Sequence, residues 1–349
     1  MSDTHDSSQR GRWRRREVLA AGSTLGLAGV AGCLDDLTVQ GDSGPQVVAS
    51  FFTFYDFARE VATGTPVTVE NLVPTGLHGH GWQPSADVTR DIIEADAFVH
   101  VGPDFQPWAD RAIQTLKDDD IDTQLINSRE GVELAPLAAT LDRDEEGVGR
   151  NRGKDPHFWL DPRRAKTALD NITEGLIDLA PDHASDFRAN AEDYGETLDR
   201  IDADYAALFE QADHDVVQLA AHNAFQYLGL RYGVRMRPLV VNLAASGDVK
   251  PSDITEAKEV IEDNGIEYIG AGVFETRKPA RTLLAETPVE AYFPVTPYAG
   301  VREAWVAEDW GYEDIAYKIN MPTFSVVLGV ESPAEAGPHG WADTWRNFE

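Results

Sequence analysis

Val47-Val48-Ala49-Ser50-Phe51-Phe52 is an almost unbroken apolar run, and it reads as a strand buried on both faces. Residues 53–63 read as a helix after it, and Val67-Thr68-Val69 as the next strand. The alternation continues. A helix over Ser85–Ala95 opens on Ser85 as N-cap, Ala97–Val101 is a strand, Phe105–Lys117 a helix and Thr123–Ile126 a strand. A βα series of this kind implies a parallel sheet covered by helices on both sides. A second series begins after residue 213. Its strands are Val216–Leu219, Leu239–Val241, Tyr268–Ala271 and Val289–Phe293. Helices fall at Ala224–Tyr232, Ser252–Asn264 and 278–286, and a last one near 311–328 is expected to be interrupted at Pro322, which has no N–H.

Two helical stretches, 162–179 and 182–211, separate the series at Pro181. The second is long and charged, and a helix of that length between two lobes is a strut rather than a flexible linker. The predicted fold is therefore α/β: two parallel-sheet lobes covered by helices and joined by a long strut helix. The expected boundaries are an N-terminal lobe at 46–181, a linking helix at 182–212, a C-terminal lobe at 213–330 and a tail at 331–349, which reads as mobile with Trp341 and Trp345 as its candidate docking residues.

The 349 residues include 30 Lys and Arg against 60 Asp and Glu, a net charge of −30. Such a surface repels phosphates, so no nucleic acid is expected as a partner. Acid density spread along a whole chain suits a surface kept hydrated in high salt. At 42% hydrophobic and 26% charged, the composition is that of a folded protein, neither disordered nor a bundle of membrane spans.

The amino-terminal segment departs from this pattern. Arg10, Arg12, Arg14, Arg15 and Arg16 form a basic block, followed by the apolar run Val18–Ala31, too short for a membrane-spanning helix. Arg15-Arg16-Glu17-Val18-Leu19 resembles a twin-arginine export signal, and Val30-Ala31-Gly32-Cys33 resembles a lipobox. Residues 1–33 are thus expected to be a signal ending on Cys33 as the lipidation site, and 34–45 a tether. The expected location is the outer face of the cytoplasmic membrane, held by lipid. With Cys33 the single cysteine, the exported part has no disulfide to rely on.

Of nine histidines, three stand in loops suited to chemistry. His80 lies in Leu77-His78-Gly79-His80-Gly81-Trp82-Gln83-Pro84, between a strand and a helix. His157 lies in Asp155-Pro156-His157-Phe158-Trp159-Leu160-Asp161-Pro162. His222 follows the strand at 216–220, where ligand sites form in open α/β sheets. Their wide spacing excludes a local zinc finger and suits a cleft between lobes. Loop imidazoles are the usual ligands of zinc and similar cations, and the same three are also compatible with scattered surface residues.

Several stretches carry a resemblance over residues 46–330. The first strand at Val47, the loop Val73-Pro74 to Pro84, Val101-Gly102 with Pro107-Trp108, the run Asp155–Pro162, His222-Asn223-Ala224-Phe225 with Tyr227, and Phe274-Glu275 are all similar to the zinc- and manganese-binding solute-binding lipoproteins of ABC importers. The resemblance implies that His80, His157 and His222 are metal ligands. It implies extracellular capture of a divalent metal, Zn2+ or Mn2+, and delivery to an ABC permease with a separate ATPase, the chain itself being no enzyme. The family's usual fourth ligand, an acid, is replaced in Pro294-Val295-Thr296-Pro297-Tyr298 by Thr296. Glu275, His78 or water then completes the site, with Glu275 the expected protein ligand. Three nitrogen donors favour zinc over manganese. The loop 141–155 is acidic without histidine, so no metal-buffering loop is expected.

Two other readings compete. Three histidines with an open position also describe a zinc hydrolase, with Glu275 as base, although no His-Glu-x-x-His motif is present. A binder of an organic solute would use Trp82, Trp108, Trp159 and Tyr227 as stacking walls, residues that equally suit core packing.

Overall fold

The computed structural model describes residues 44–77, 82–137, 153–240 and 249–349. The signal with Cys33, the tether up to residue 43, His78, His80 and most of the acidic loop 141–155 lie outside the described residues.

The first sheet contains β1 (Gln46–Ala49), β2 (Thr68–Asn71), β3 (Ala97–His100) and β4 (Gln124–Asn127), all parallel, in the order β2-β1-β3-β4. Alternate residues face opposite ways along a strand, and both faces are apolar here. Val47, Ala49, Ala97 and Val99 join a large cluster with Phe51, Phe54 and Trp159. Val48 and Phe98 point the other way, onto Ile92, Trp108 and Leu116. Helix α1 (Phe52–Ala62) supplies the first face; α2 (Ala86–Glu94) and α3 (Pro107–Asp118) supply the second.

The second sheet repeats this plan with β5 (Val216–His222), β6 (Arg235–Val240), β7 (Tyr268–Gly272) and β8 (Ala291–Val295), again all parallel, in the order β6-β5-β7-β8. Strand β5 runs further than the sequence suggested, and His222 is its last residue, past a register irregularity between Leu219 and His222. In each sheet the chain crosses to the other side after the second strand. That switch leaves a crevice beyond the carboxyl ends of β5 and β7, where ligands collect in α/β folds.

Helix α4 (Pro162–Leu179) and helix α5 (Ala184–Glu210) link the sheets. Asp161 caps α4 by accepting from the backbone N–H of Arg163 at 3.0 Å, and Pro162 sits at the first helical position, where its missing N–H costs nothing. The 27 residues of α5 bury Leu198, Ile201, Tyr205 and Phe209, a single stripe at helical spacing. One-sided burial over that length is what a strut requires. After it come α6 (Gln226–Tyr232), α7 (Pro251–Asn264) and α8 (Lys278–Glu286) around the second sheet.

Two expectations are corrected. Pro322 does not break the last long helix: the chain stays helical through Tyr312–Ile315, a π-helical turn at Ala316–Asn320, and Met321–Val327. The wider turn accommodates a residue without an N–H inside a helix. The segment 331–349, expected to be mobile, packs against the second sheet. Trp341 stacks on Phe293 at 5.1 Å, and Phe348 is buried. Asn347 donates its N–H to Tyr292 O and accepts the Tyr292 N–H on Oδ1, both at 3.0 Å. These bonds occupy the outer edge of β8, which a bare sheet would leave unpaired.

Candidate metal site

His157 follows Pro156 and opens the short 3-10 turn Phe158–Leu160, just ahead of α4. Its neighbours Phe158, Trp159 and Leu160 are core residues, so the turn is anchored by its own apolar side chains. Asp155 fixes the ring: Oδ1 accepts the backbone N–H of His157 and lies 2.9 Å from its Nδ1. Tyr227, from α6, locks this loop from the second sheet's side. Its hydroxyl donates to Asp155 O at 2.8 Å and accepts from the Ala135 N–H at 2.8 Å.

His222 is held in the same way. Glu275, in the loop after β7, places Oε1 2.8 Å from His222 Nδ1, and Oε2 accepts the backbone N–H of His222 at 3.0 Å. Gly272 makes room: a Cβ there would lie 2.3 Å from Glu275 Oε1. Both imidazoles are buried, His157 at 1% and His222 at 0% exposure. Burial pushes the His157 pKa down, Asp155 draws it back up, and His222 pushes it down again.

The structure thus brings together His157, His222 and Glu275 from two lobes. Nδ1 of each ring lies against a carboxylate, an arrangement that orients the ring and would turn Nε2 toward a cation, as is common for metal-bound histidine. The ring centroids are 5.5 Å apart. Two imidazoles sharing one tetrahedral ion, with metal–nitrogen bonds of about 2.0–2.1 Å, need centroids roughly 5 Å apart, so the spacing fits. Among the described residues no group of three His, Cys, Asp or Glu gathers as a metal site. His80 and His78 belong to the loop outside them.

Glu275, expected as a ligand, meets His222 with both oxygens, Oε1 at the ring Nδ1 and Oε2 at the backbone N–H. Thr296 is fully buried just past β8, its backbone clamped by Asn320 through two 2.9 Å bonds. Its Oγ1 has no hydrogen-bond partner among the described residues. Trp159 donates Nε1 to Pro297 O at 2.7 Å, tying the His157 turn to the other lobe, and Trp82 packs edge-on against Trp108 at 5.3 Å. These aromatics join structure rather than lining a solute pocket. Sequence reading missed the orienting role of Asp155, although it stands two residues before a candidate ligand. It also missed Gly272 and Asn320, for which the sequence carries no comparable signal.

A family model described as "Zinc-uptake complex component A periplasmic", ZnuA, matches residues 47–309. The chain belongs to the ZnuA family. It is 31% identical over 255 residues to the zinc-binding lipoprotein AdcA of Streptococcus pneumoniae, a match covering 72% of this chain and 50% of that protein. It is 24% identical over 244 residues to the high-affinity zinc uptake system protein ZnuA of Bacillus subtilis, covering 69% of this chain and 74% of that one. The chain therefore spans about half the length of the AdcA relatives it matches, 50% and 56% of two of them. Among solved structures, the Zn(II)-bound ZnuA-like domain of Streptococcus pneumoniae AdcA superposes with a TM-score of 0.68 at 27% identity, over 82% of this chain and 99% of that one. The two-lobe α/β architecture is that of the ZnuA family.

Proposed function

We propose that this protein captures a divalent transition metal outside the cytoplasm, zinc above all, and delivers it to an ABC permease. The observation that carries the reading is the pair His157 and His222, two buried imidazoles from different lobes, each with Nδ1 on a carboxylate and with centroids 5.5 Å apart. The ZnuA family match and the zinc-binding names of the relatives support the same cargo. His80 is the third ligand in this reading, Glu275 orients His222, and a water completes a four-coordinate ion. Nitrogen donors of this kind suit zinc better than manganese, which favours more carboxylate oxygen.

The protein is a carrier and hydrolyses nothing; the ATPase is a separate subunit. Lipidation at Cys33 holds it at the outer membrane face, and Cys33→Ser releases it into the medium. The test of the function is metal analysis of the exported protein, followed by competition titration against a chromophoric chelator. One equivalent of zinc is expected, with affinity falling at least tenfold in each of His157→Ala and His222→Ala. Stoichiometric manganese with no preference for zinc, or unchanged affinity in both variants, overturns the reading.

A further inference from the structure

The loop that carries Glu275 is held from behind by one side chain. Arg277 donates through Nη1 to the carbonyls of Gly272 and Glu275 and through Nη2 to that of Val273. A planar guanidinium is suited to gathering several acceptors at once, which an ammonium on a flexible stem is not. The three carbonyls bracket the turn between β7 and Glu275, so they set where the carboxylate sits relative to His222.

Arg277 in turn rests on the segment 341–349. Its guanidinium lies 4.3 Å from the centroid of the Phe348 ring. A cation over an aromatic face is attracted by the ring's negative face, more so away from water, and Phe348 is only 6% exposed. The same segment reaches the loop a second time, through Trp345 on Trp305 at 6.3 Å and Trp305 on Phe274 at 6.1 Å. Phe348 is itself fixed by Tyr292 of β8, ring to ring at 5.8 Å and hydroxyl to Phe348 O at 3.3 Å.

We propose that Arg277, seated on Phe348, is a positioning residue for metal capture: it locks the 272–275 loop so that Glu275 meets His222, and the 341–349 segment is thereby part of the binding machinery. The inference rests on the reading of His157 and His222 as metal ligands. Loosening Phe348 frees Arg277, the loop relaxes, and His222 loses the carboxylate that aims its ring. The effect falls on how long the metal stays, because the ligands themselves are untouched.

The test uses the full chain with Arg277→Met, Arg277→Lys, Phe348→Leu and His222→Ala. Three quantities are read: zinc dissociation rate in excess chelator, the visible spectrum of the cobalt(II)-loaded protein, and the melting temperature of the metal-free protein. Arg277→Met is expected to speed zinc loss about tenfold, the lower end of the cost of losing an outer partner of a metal ligand, and to shift the cobalt spectrum. Arg277→Lys recovers part of both, and Phe348→Leu reproduces a smaller version with near-normal melting. Lower melting temperatures with unchanged dissociation and spectrum in Arg277→Met and Phe348→Leu mean a structural role only and overturn the proposal. If Arg277→Met does not fold, Phe348→Leu decides alone. Full affinity in His222→Ala instead removes the metal-site reading itself, whereas loss there with unaffected Arg277 and Phe348 variants removes only the positioning role.

Discussion

Asp155 grips His157 twice with one oxygen: Oδ1 accepts the backbone N–H at 2.9 Å and meets Nδ1 of the ring at 2.9 Å. A single carboxylate thereby sets both the turn and the orientation of the side chain it carries. Asp155→Ala is expected to weaken zinc binding about 10- to 100-fold, the usual cost of removing a carboxylate behind a metal-bound histidine. Competition titration measures it; an affinity within twofold of the parent's refutes the orienting role.

Gly272 provides the space in which Glu275 approaches His222. A methyl group at that position would sit 2.3 Å from Oε1, well inside van der Waals contact. Gly272→Ala is expected to displace the carboxylate and weaken zinc binding about tenfold or more. The backbone there is not left-handed, so the loss reports the contact rather than backbone strain. A crystal structure of the variant with the 2.8 Å His222–Glu275 contact intact would contradict this account.

Trp341 donates Nε1 to Lys318 O at 2.9 Å. In a regular α-helix that carbonyl is served by residue 322, which is a proline without an N–H. Trp341→Phe keeps the stacking on Phe293 and removes the donor. A loss of about 1 kcal/mol is expected from urea unfolding, the usual net contribution of one hydrogen bond.

Two buried groups oppose each other in acid. Burial, helped by Arg129 and Lys117, pushes His100 down from 6.5 to about 4. Below pH 6.5 the unfolded chain takes a proton that the folded chain refuses, so stability falls with pH until about 4, by about 3 kcal/mol in all. Burial raises Asp56 from 3.8 to about 6, against the pull of Arg59. The folded chain takes that proton first, so between about 6 and 3.8 acidification favours the fold by a similar amount. His100→Gln removes the first contribution alone. Its urea midpoint is expected to rise relative to the parent's on going from pH 7 to near pH 4; equal pH profiles would refute the assignment.

The alternation of apolar runs and helices made the central strands of both sheets legible, because a strand buried on two faces writes its burial into every residue. Val47, Val48 and Ala49 are apolar for that reason, and the boundaries 162–179 of α4 were readable from Pro162 and the Pro181 stop. Most of β6 was missed because Arg235 and Arg237 interrupt its apolar pattern. The docking of segment 331–349 was legible only as two candidate residues, Trp341 and Trp345. The segment's Pro, Gly and acidic residues are those of a loop, and Phe348 reveals its burial only once β8 offers Tyr292 as a partner.

The candidate site divides along the same line. The sequence by itself determined that imidazoles stand at 157 and 222 beside strand and helix ends, because those residue types carry the chemistry wherever they fall. Only the tertiary structure decided that the two rings lie 5.5 Å apart and that Glu275, 53 positions from His222, faces its Nδ1. Covalent order says nothing of distance between residues so far apart in the chain. That distance is set by sheet register and loop shape, and here by Gly272 and Arg277, whose importance appears only when the backbone is folded around them.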